Sequence, residues 1–226
     1  MTKTKGKADR HNGPVAQQAG RRLSPEQRER QIIEGAIAFF AERGFGGQTR
    51  ELTTQLGLSK GLLYRYFKSK DDLIDRIYEE VFLKNWKPGW SLIIADTSRP
   101  LLDRLQELYL GFSQLLHDKA FVRLYLYSGL TGASINKRYW ALVEAKIFLP
   151  VISEFRREFG RPTTQDEPVS EPEIELMWSL HGSIFYIGLR KWVYQVQVPT
   201  DVPGAVRRIV DTHYSAARSL MQGPHS

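Results

Sequence analysis

Apolar residues return every three or four positions along almost the whole of this chain, and that habit restricts it to a helical fold. Ile33, Ala36, Ile37 and Phe40 mark one such stripe, and Leu101, Leu105, Leu108, Phe112 and Leu115 mark another. Val206, Ile209, His213, Ala217 and Leu220 share one side of a third. No stretch of useful length alternates apolar and polar residues as a half-buried strand does, and there is no internal repeat.

Helix punctuation falls between the stripes. Ser24-Pro25-Glu26-Gln27 is a capping box with proline at the first helical position, and Gly44 stops the helix it opens. A short helix is predicted from about Thr49 to Leu56, then a tight turn at Gly57-Leu58, then a second short helix, Lys60 to Phe67, capped by Ser59. Ser69 caps the next helix, whose first turn carries Asp71 and Asp72 and whose buried stripe is Leu73, Ile77 and Val81. Lys87-Pro88-Gly89 closes this region. Further helices are expected over Pro100–His117, Lys119–Leu130 and Ser134–Phe159, the last kinked at Pro150 and ended by Gly160. Residues 161–171 read as a loop. Ser170-Glu171-Pro172-Glu173 is a second capping box and opens a helix to about Val196, before Pro199. A final helix is expected from Val202 to Met221.

A chain of 226 residues can hold a small domain and a larger one. It has no cysteine, which excludes disulfides, thiolate metal sites and cysteine nucleophiles. Its five histidines are scattered, with no pair at helical metal-ligand spacing, so no metal is expected. There is no nucleophile–base pair and no glycine-rich phosphate loop, so neither an enzyme nor a cofactor is expected. No apolar run approaches the ~20 residues of a membrane span, and the polar N-terminus lacks a secretory signal, so the chain is expected to be cytoplasmic with no membrane partner.

The net charge of +7 is unevenly spread. Residues 1–22 carry Lys3, Lys5, Lys7, Arg10, Arg21 and Arg22 against Asp9 alone, and they hold too little apolar surface to order themselves. The window 43–70 carries Arg43, Arg50, Lys60, Arg65, Lys68 and Lys70 against Glu51 alone. A cationic arm beside a cationic compact segment suits a polyanion; a solubilising tail beside a solvated face is the plainer reading.

The segment 48–70, QTRELTTQLGLSKGLLYRYFKSK, separates the two. Two short helices joined at Leu56-Gly57-Leu58-Ser59 form a helix-turn-helix. Leu52, Leu56, Leu58, Leu63 and Phe67 can pack the pair onto the first helix, which turns Lys60, Gly61, Leu62, Tyr64, Arg65 and Tyr66 outward. That side suits a major groove. Lys60 and Arg65 offer cations to phosphate or guanine, Leu62 offers contact to a thymine methyl, and Tyr64 and Tyr66 offer hydroxyls. Gly61 lets backbone approach the duplex. Thr49 and Arg50 open the preceding helix, where phosphate is favoured.

Gly44-Phe45, Arg50-Glu51-Leu52, the run Leu56 to Phe67, and Ser69-Lys70-Asp71-Asp72-Leu73-Ile74 together resemble the DNA-binding domain of TetR regulators, over about Gln31 to Glu80. The connection after Gly44 is about one residue shorter than the commonest form, so either Gln48 or Thr49 caps the second helix. The resemblance implies that Ser59–Phe67 is the recognition helix and that Lys70 grips backbone phosphate. Periodicity and composition give an all-α chain with a disordered basic arm at 1–22; the resemblance adds a three-helix DNA-binding domain at 23–70 and a larger helical-bundle domain at 71–226 for ligand binding and dimerisation. The expected function is a homodimeric regulator of a near-palindromic operator, a repressor released by a small apolar or aromatic effector. A ligand-independent architectural or nucleoid-associated DNA binder is the alternative.

The C-terminal region is rich in aromatic residues. Trp90, Phe112, Tyr125, Tyr127, Trp140, Phe148, Trp178, His181 and Phe185 are candidates to line a pocket, or else to fill the core. Arg123 and Glu144 are further polar candidates. A four-helix seam between subunits, implied by the resemblance, would draw on Ile174, Met177, Ile184 and Ile187 in one helix and Val206, Ile209, Val210 and Leu220 in the other. Gly182 and Gly188 sit inside a helix at a cost of ~1 kcal/mol each against alanine, which either close helix approach or ligand space would explain.

Overall fold

In the computed structural model of the protein, residues 23–87, 89–131 and 134–222 are described, and among them there are helices and no strand. The basic arm expected at 1–22 lies outside the described residues. Helix α1 (Pro25–Arg43) starts as its sequence dictates: the Gln27 amide donates to Ser24 Oγ at 3.2 Å, and the Ser24 amide to Gln27 Oε1 at 3.0 Å. It stops at Gly44, whose φ of 72° is the conformation glycine tolerates best. Helices α2 (Thr49–Gln55) and α3 (Lys60–Tyr66) follow. Gln48, not Thr49, holds the N-cap position of α2, with no side-chain cap bond.

Helix α4 (Lys70–Tyr78) is capped by Ser69 Oγ, which accepts from the Asp72 amide at 3.0 Å, and runs on through a wide π turn, Glu79–Leu83. Next come α5 (Gly89–Ala95), α6 (Leu101–Leu115), α7 (Lys119–Leu130) and α8 (Ser134–Val143). The long helix expected over Ser134–Phe159 is interrupted where Pro150 requires it. A π turn, Glu144–Phe148, lies just ahead of α9 (Leu149–Glu158) and loosens the turn that the proline ring would otherwise crowd. Helix α10 (Glu171–Leu189) ends in a third π turn, Arg190–Tyr194, and α11 (Val202–Gln222) closes the described chain. The seven-residue α5 was not anticipated; Lys87-Pro88-Gly89 reads as a break, yet Trp90 and Ile94, one turn apart, are buried beyond it.

One apolar core runs without interruption from Ile32 to Met221. Helix α11 packs on α6 and α10, and α1 rests on α7 and α4. The two glycines of α10 differ. A Cβ at Gly188 would lie 3.0 Å from Val122 Cγ2 and 3.3 Å from Leu116 Cβ, so α10 comes close to α7 there, whereas a Cβ at Gly182 would meet nothing within 4 Å.

Candidate nucleic-acid interface and regulatory cavity

The helix-turn-helix is held from beneath. Leu52, Leu63 and Phe67 are buried, Leu56 and Leu58 half-buried, and the turn is closed by the Leu58 amide donating to Thr53 O at 2.9 Å, with Gly57 at φ 63°. Ser59 Oγ caps α3 by accepting from the Leu62 amide at 3.1 Å. Burying those leucines leaves Ser59, Lys60, Gly61, Tyr64 and Arg65 exposed, with Leu62 half-buried beside them. A Cβ at Gly61 would meet nothing within 4 Å, so its surface is open.

Contacts within the protein orient this face. Thr49 Oγ1 and the Tyr64 hydroxyl are 3.2 Å apart, which ties the start of α2 to the middle of α3. The Lys60 ammonium lies 5.7 Å from the centroid of the Tyr64 ring. Arg50 is exposed on α2. Tyr66 differs from the outward reading: it is half-buried against the core, with the Arg65 guanidinium 5.7 Å from its ring centroid. Lys70 is a tether in the free protein, because its ammonium donates to Gly47 O at 2.9 Å and so ties the start of α4 to the loop before α2.

The second feature lies between α7, α8 and α10. A cavity of about 180 Å³ is lined by Tyr125, Tyr139, Trp140, Trp178, His181, Gly182 and Phe185. Tyr139 and His181 also line a second space of only about 10 Å³ together with Trp86, Trp90, Tyr109 and Phe112, and the His181 ring lies 4.2 Å from that of Phe112 between centroids. That volume is about one water-sized probe or less, so Trp90 and Phe112 belong to packed core and not to an open pocket. Phe148 backs the cavity wall, 5.5 Å from Trp178 and 5.7 Å from His181 between ring centroids. Tyr127 lies elsewhere. Its ring packs under Gly44, and its hydroxyl accepts from Arg123 Nη2 at 3.0 Å and donates to Glu42 O at 3.3 Å. It therefore serves the junction of α7 with α1. Glu144, in the π turn after α8, is exposed.

Tyr109 is the cavity-side residue that the sequence reading passed over; the available signal was a hydroxyl set within an otherwise apolar helix face. The Tyr109 hydroxyl, the Tyr139 hydroxyl and His181 Nδ1 are buried without a hydrogen-bond partner. Burial raises both phenols and pushes the His181 imidazole down to about 3. The unfolded chain takes up a proton at His181 below its ordinary value of 6.5, and the folded chain refuses it until about pH 3. His181 therefore makes the fold lose stability as pH falls from 6.5 toward 3, by at most about 1.4 kcal/mol per pH unit. Urea denaturation across that window is expected to show a shallower acid loss for His181→Phe than for the parent. Equal slopes would remove His181 from the linkage.

Two sets of contacts join the cavity walls to α4 and α1, the helices that flank the helix-turn-helix. Arg138, next to Tyr139 on α8, donates to Asp75 Oδ1 at 2.5 Å, and its guanidinium lies 4.1 Å from the Tyr78 ring centroid, both on α4. Arg123, two residues from Tyr125 on α7, donates to Ala41 O at 2.5 Å and Glu42 O at 3.3 Å, at the end of α1. Neither role was legible in the sequence, because both partners lie more than sixty residues away.

The proposed seam needs correction. Met177, Ile184, Val206 and Val210 are 0 % exposed and Ile187 is 4 %, all spent on the chain's own core and so closed to a second subunit. Ile174 and Ile209 are half-buried against that core, and of the set only Leu220 is exposed. Exposed on α10 and α11 instead are Trp178, Ser179, Gly182, Tyr186, Thr212, Ser215, Ala216, Ser219 and Leu220, with the charged Glu175 and Arg208 at the ends of the same stripes.

No described helix is long and apolar enough to cross a membrane, and no group of described residues is placed to hold a metal ion. A family model described as bacterial regulatory proteins, tetR family, matches residues 32–77. The chain is 31% identical over 103 residues to the HTH-type transcriptional repressor KstR2 of Mycolicibacterium smegmatis, covering 45% of this chain and 49% of the relative. It is 34% identical over 100 residues to the KstR2 of Mycobacterium tuberculosis, covering 43% and 49%. It thus spans about half the length of the curated relatives it matches. Among solved structures it shares the fold of a TetR-like transcriptional regulator from Rhodococcus sp. RHA1, with a TM-score of 0.55 and 20% identity, covering 90% of this chain and 100% of that one.

Proposed function

We propose that this chain, which matches the tetR family model over residues 32–77, is a TetR-type homodimeric repressor that binds a near-palindromic operator and leaves it when a small apolar or aromatic effector enters the cavity. The observation that carries this reading is the exposed face of α3, where Lys60, Gly61, Tyr64 and Arg65 stand clear over a base of buried leucines. Thr49, Arg50, Ser59, Leu62 and the edge of Tyr66 extend that surface, and Lys70 positions it from behind. The curated relatives named as transcriptional repressors support the direction of control.

The cavity supports the release step. A protein that only coats DNA needs the recognition face but no internal space of about 180 Å³. Tyr139 also touches Phe82 in the π turn after α4, at 5.5 Å between ring centroids, so a ligand that moves Tyr139 or α8 acts on α4 through Phe82, Asp75 and Tyr78. Helix α4 in turn holds the loop ahead of α2 through Lys70. Both recognition helices of a dimer would shift together, and a changed spacing misfits two half-sites at once.

Selection of bound sites from a random duplex library by the full chain tests the DNA reading, with enrichment of an inverted repeat as the expected result. On that site Lys60→Ala and Tyr64→Ala are expected to lose roughly 1–3 kcal/mol each if they read bases. Gly61→Ala discriminates further. It should stabilise α3 by up to about 1 kcal/mol, since the added methyl meets nothing, yet weaken operator binding if backbone must approach the duplex. Unchanged affinity in all three variants by gel shift would remove α3 from the interface.

A further inference from the structure

We infer that Arg123 sets the half-site spacing this protein accepts, by fixing the end of α1 to the end of α10 through one guanidinium. This rests on the operator reading above and adds to it a positioning residue that lies outside both the face of α3 and the lining of the cavity. Helix α1 ends, as every helix does, in carbonyls that its own turns cannot pair. Phe40 O is taken by the Gly44 amide. Ala41 O and Glu42 O are taken by α7. Arg123 Nε donates to Ala41 O at 2.5 Å and Nη2 to Glu42 O at 3.3 Å, and the Tyr127 hydroxyl donates to the same Glu42 oxygen at 3.3 Å. A cation at a helix C-terminus is favoured by the helix dipole as well. The third nitrogen serves a different helix: Nη1 donates to Trp192 O at 3.4 Å, in the π turn that ends α10. The side chain is only 16 % exposed, and its fork is planar and rigid, so it holds the two helix ends at a fixed separation.

Both ends of this clamp are anchored in turn. Helix α10 comes closest to α7 at Gly188, where a Cβ would lie 3.0 Å from a methyl of Val122, the residue before Arg123. The Trp192 indole donates to Leu116 O at 2.9 Å, which holds the π turn on the end of α6. On the other side the Tyr127 ring packs under Gly44, where the chain leaves α1 for the loop into α2, and Lys119 pairs with Glu42 at 2.6 Å. The backbone itself joins the helix-turn-helix to the rest of the chain through α4 alone, and a body carried on one rod can pivot. The clamp is a second attachment and removes that freedom. Since α10 is also one of the helices expected to face the second subunit, the clamp refers each recognition helix to the subunit contact. In a two-fold dimer that distance is what selects the half-site spacing.

The test is a binding titration of the full chain on three duplexes: the inverted repeat selected above, and the same repeat with one base pair added at its centre or removed from it. One base pair moves a half-site by about 3.4 Å and turns it by roughly 35°. The parent is expected to bind either altered repeat roughly tenfold or more weakly, because one half-site is then partly unread. Arg123→Met keeps the apolar stem and removes every donor. It should bring that ratio to about threefold or less, while binding the best repeat a few-fold more weakly through lost pre-organisation. Arg123→Lys keeps the charge, but one ammonium cannot span Ala41 and Trp192 together, so it should relax the ratio too. A residue that merely capped α1 would change stability and leave the ratio alone. The ratio compares duplexes on one preparation, so it does not depend on how much of a variant folds, and sedimentation checks that the variants keep the parent's mass. A parent indifferent to the spacer, a parent-like ratio in either variant, or a relaxed ratio from a chain that has become monomeric would overturn the inference alone. A parent that binds no inverted repeat would overturn the operator reading and the inference with it.

Discussion

Replacing Arg156 with alanine is expected to destabilise the fold by about 3–5 kcal/mol, the usual consequence of stranding one member of a buried ion pair. Arg156 is 2 % exposed on α9, and every arm of its guanidinium is occupied. Nε and Nη2 donate to Glu173 Oε1 and Oε2 at 2.6 and 2.7 Å, a two-pronged pair across seventeen residues of sequence. Nη1 donates to Glu167 O at 2.6 Å and Thr163 O at 3.2 Å, and Nη2 to Pro168 O at 3.0 Å. One side chain thus folds the loop between α9 and α10 onto the body. Glu173 completes the capping box by accepting from the Ser170 amide at 2.7 Å. Alanine would leave a buried carboxylate and several buried carbonyls without donors.

The same pair has an acid signature. Burial alone would raise the Glu173 carboxyl, but the Arg156 guanidinium and the Ser170 donors outweigh it and hold the group at about 2. A carboxyl lowered in the folded state adds stability that is complete above its ordinary value of 4.5 and drains away as pH falls toward 2. The gap between parent and Arg156→Ala should therefore be largest near neutrality and narrower at pH 3. Urea denaturation at both pH values measures it. A loss under about 1 kcal/mol at pH 7 would show that the loop and α10 are held by apolar packing alone.

The features legible in the sequence were those fixed within a few residues. Ser24 with Gln27, Ser59 and Ser69 mark helix starts because a side-chain oxygen meets an amide three positions on, and Ser170 with Glu173 because the carboxylate meets the amide three positions back, whatever the rest of the chain does. Gly44, Gly57 and Gly160 mark stops because each takes a positive φ. The exposed face of α3 was readable for the same reason, since Leu63 and Phe67 settle which side is inward within two turns. Periodicity cannot say which neighbour a stripe meets. Met177, Leu180, Ile184 and Ile187 form a proper apolar stripe on α10, but it faces the chain's own α6, α7 and α11, not another copy. The cavity was partly legible: its aromatic character showed in the composition, while the placement of Tyr139 and His181 in one wall depends on α8 and α10 meeting from forty residues apart.

Correcting the seam relocates the prediction about assembly and strengthens it. A single recognition helix reads too few base pairs for genomic specificity, and a two-fold dimer doubles the readout. The two-fold surface must be free in one subunit, and the outer side of α10 and α11 is free where the buried stripe is not. His213 Nε2 and Ser179 Oγ, 3.0 Å apart, bind the two helices into one face. That face exposes Trp178, Tyr186 and Leu220, large apolar groups, between the small side chains of Gly182, Ala216 and Ser219, which allow another helix pair to approach closely. Ala216→Glu is therefore expected to dissociate the dimer while the protomer keeps its stability to within about 0.5 kcal/mol, because the position is exposed in the single chain. Two such glutamates would meet across a two-fold axis and would have to be desolvated side by side. With one half-site unread, and each unread base pair worth about 1–3 kcal/mol, operator affinity should fall roughly hundredfold or more. Sedimentation at micromolar concentration checks the mass: the parent at twice the 26.0 kDa chain, the variant at the chain itself. Tyr186→Glu should act alike from α10. A parent that sediments as a monomer yet binds its palindrome tightly, or an Ala216→Glu variant that stays dimeric, would sink the assignment of this face.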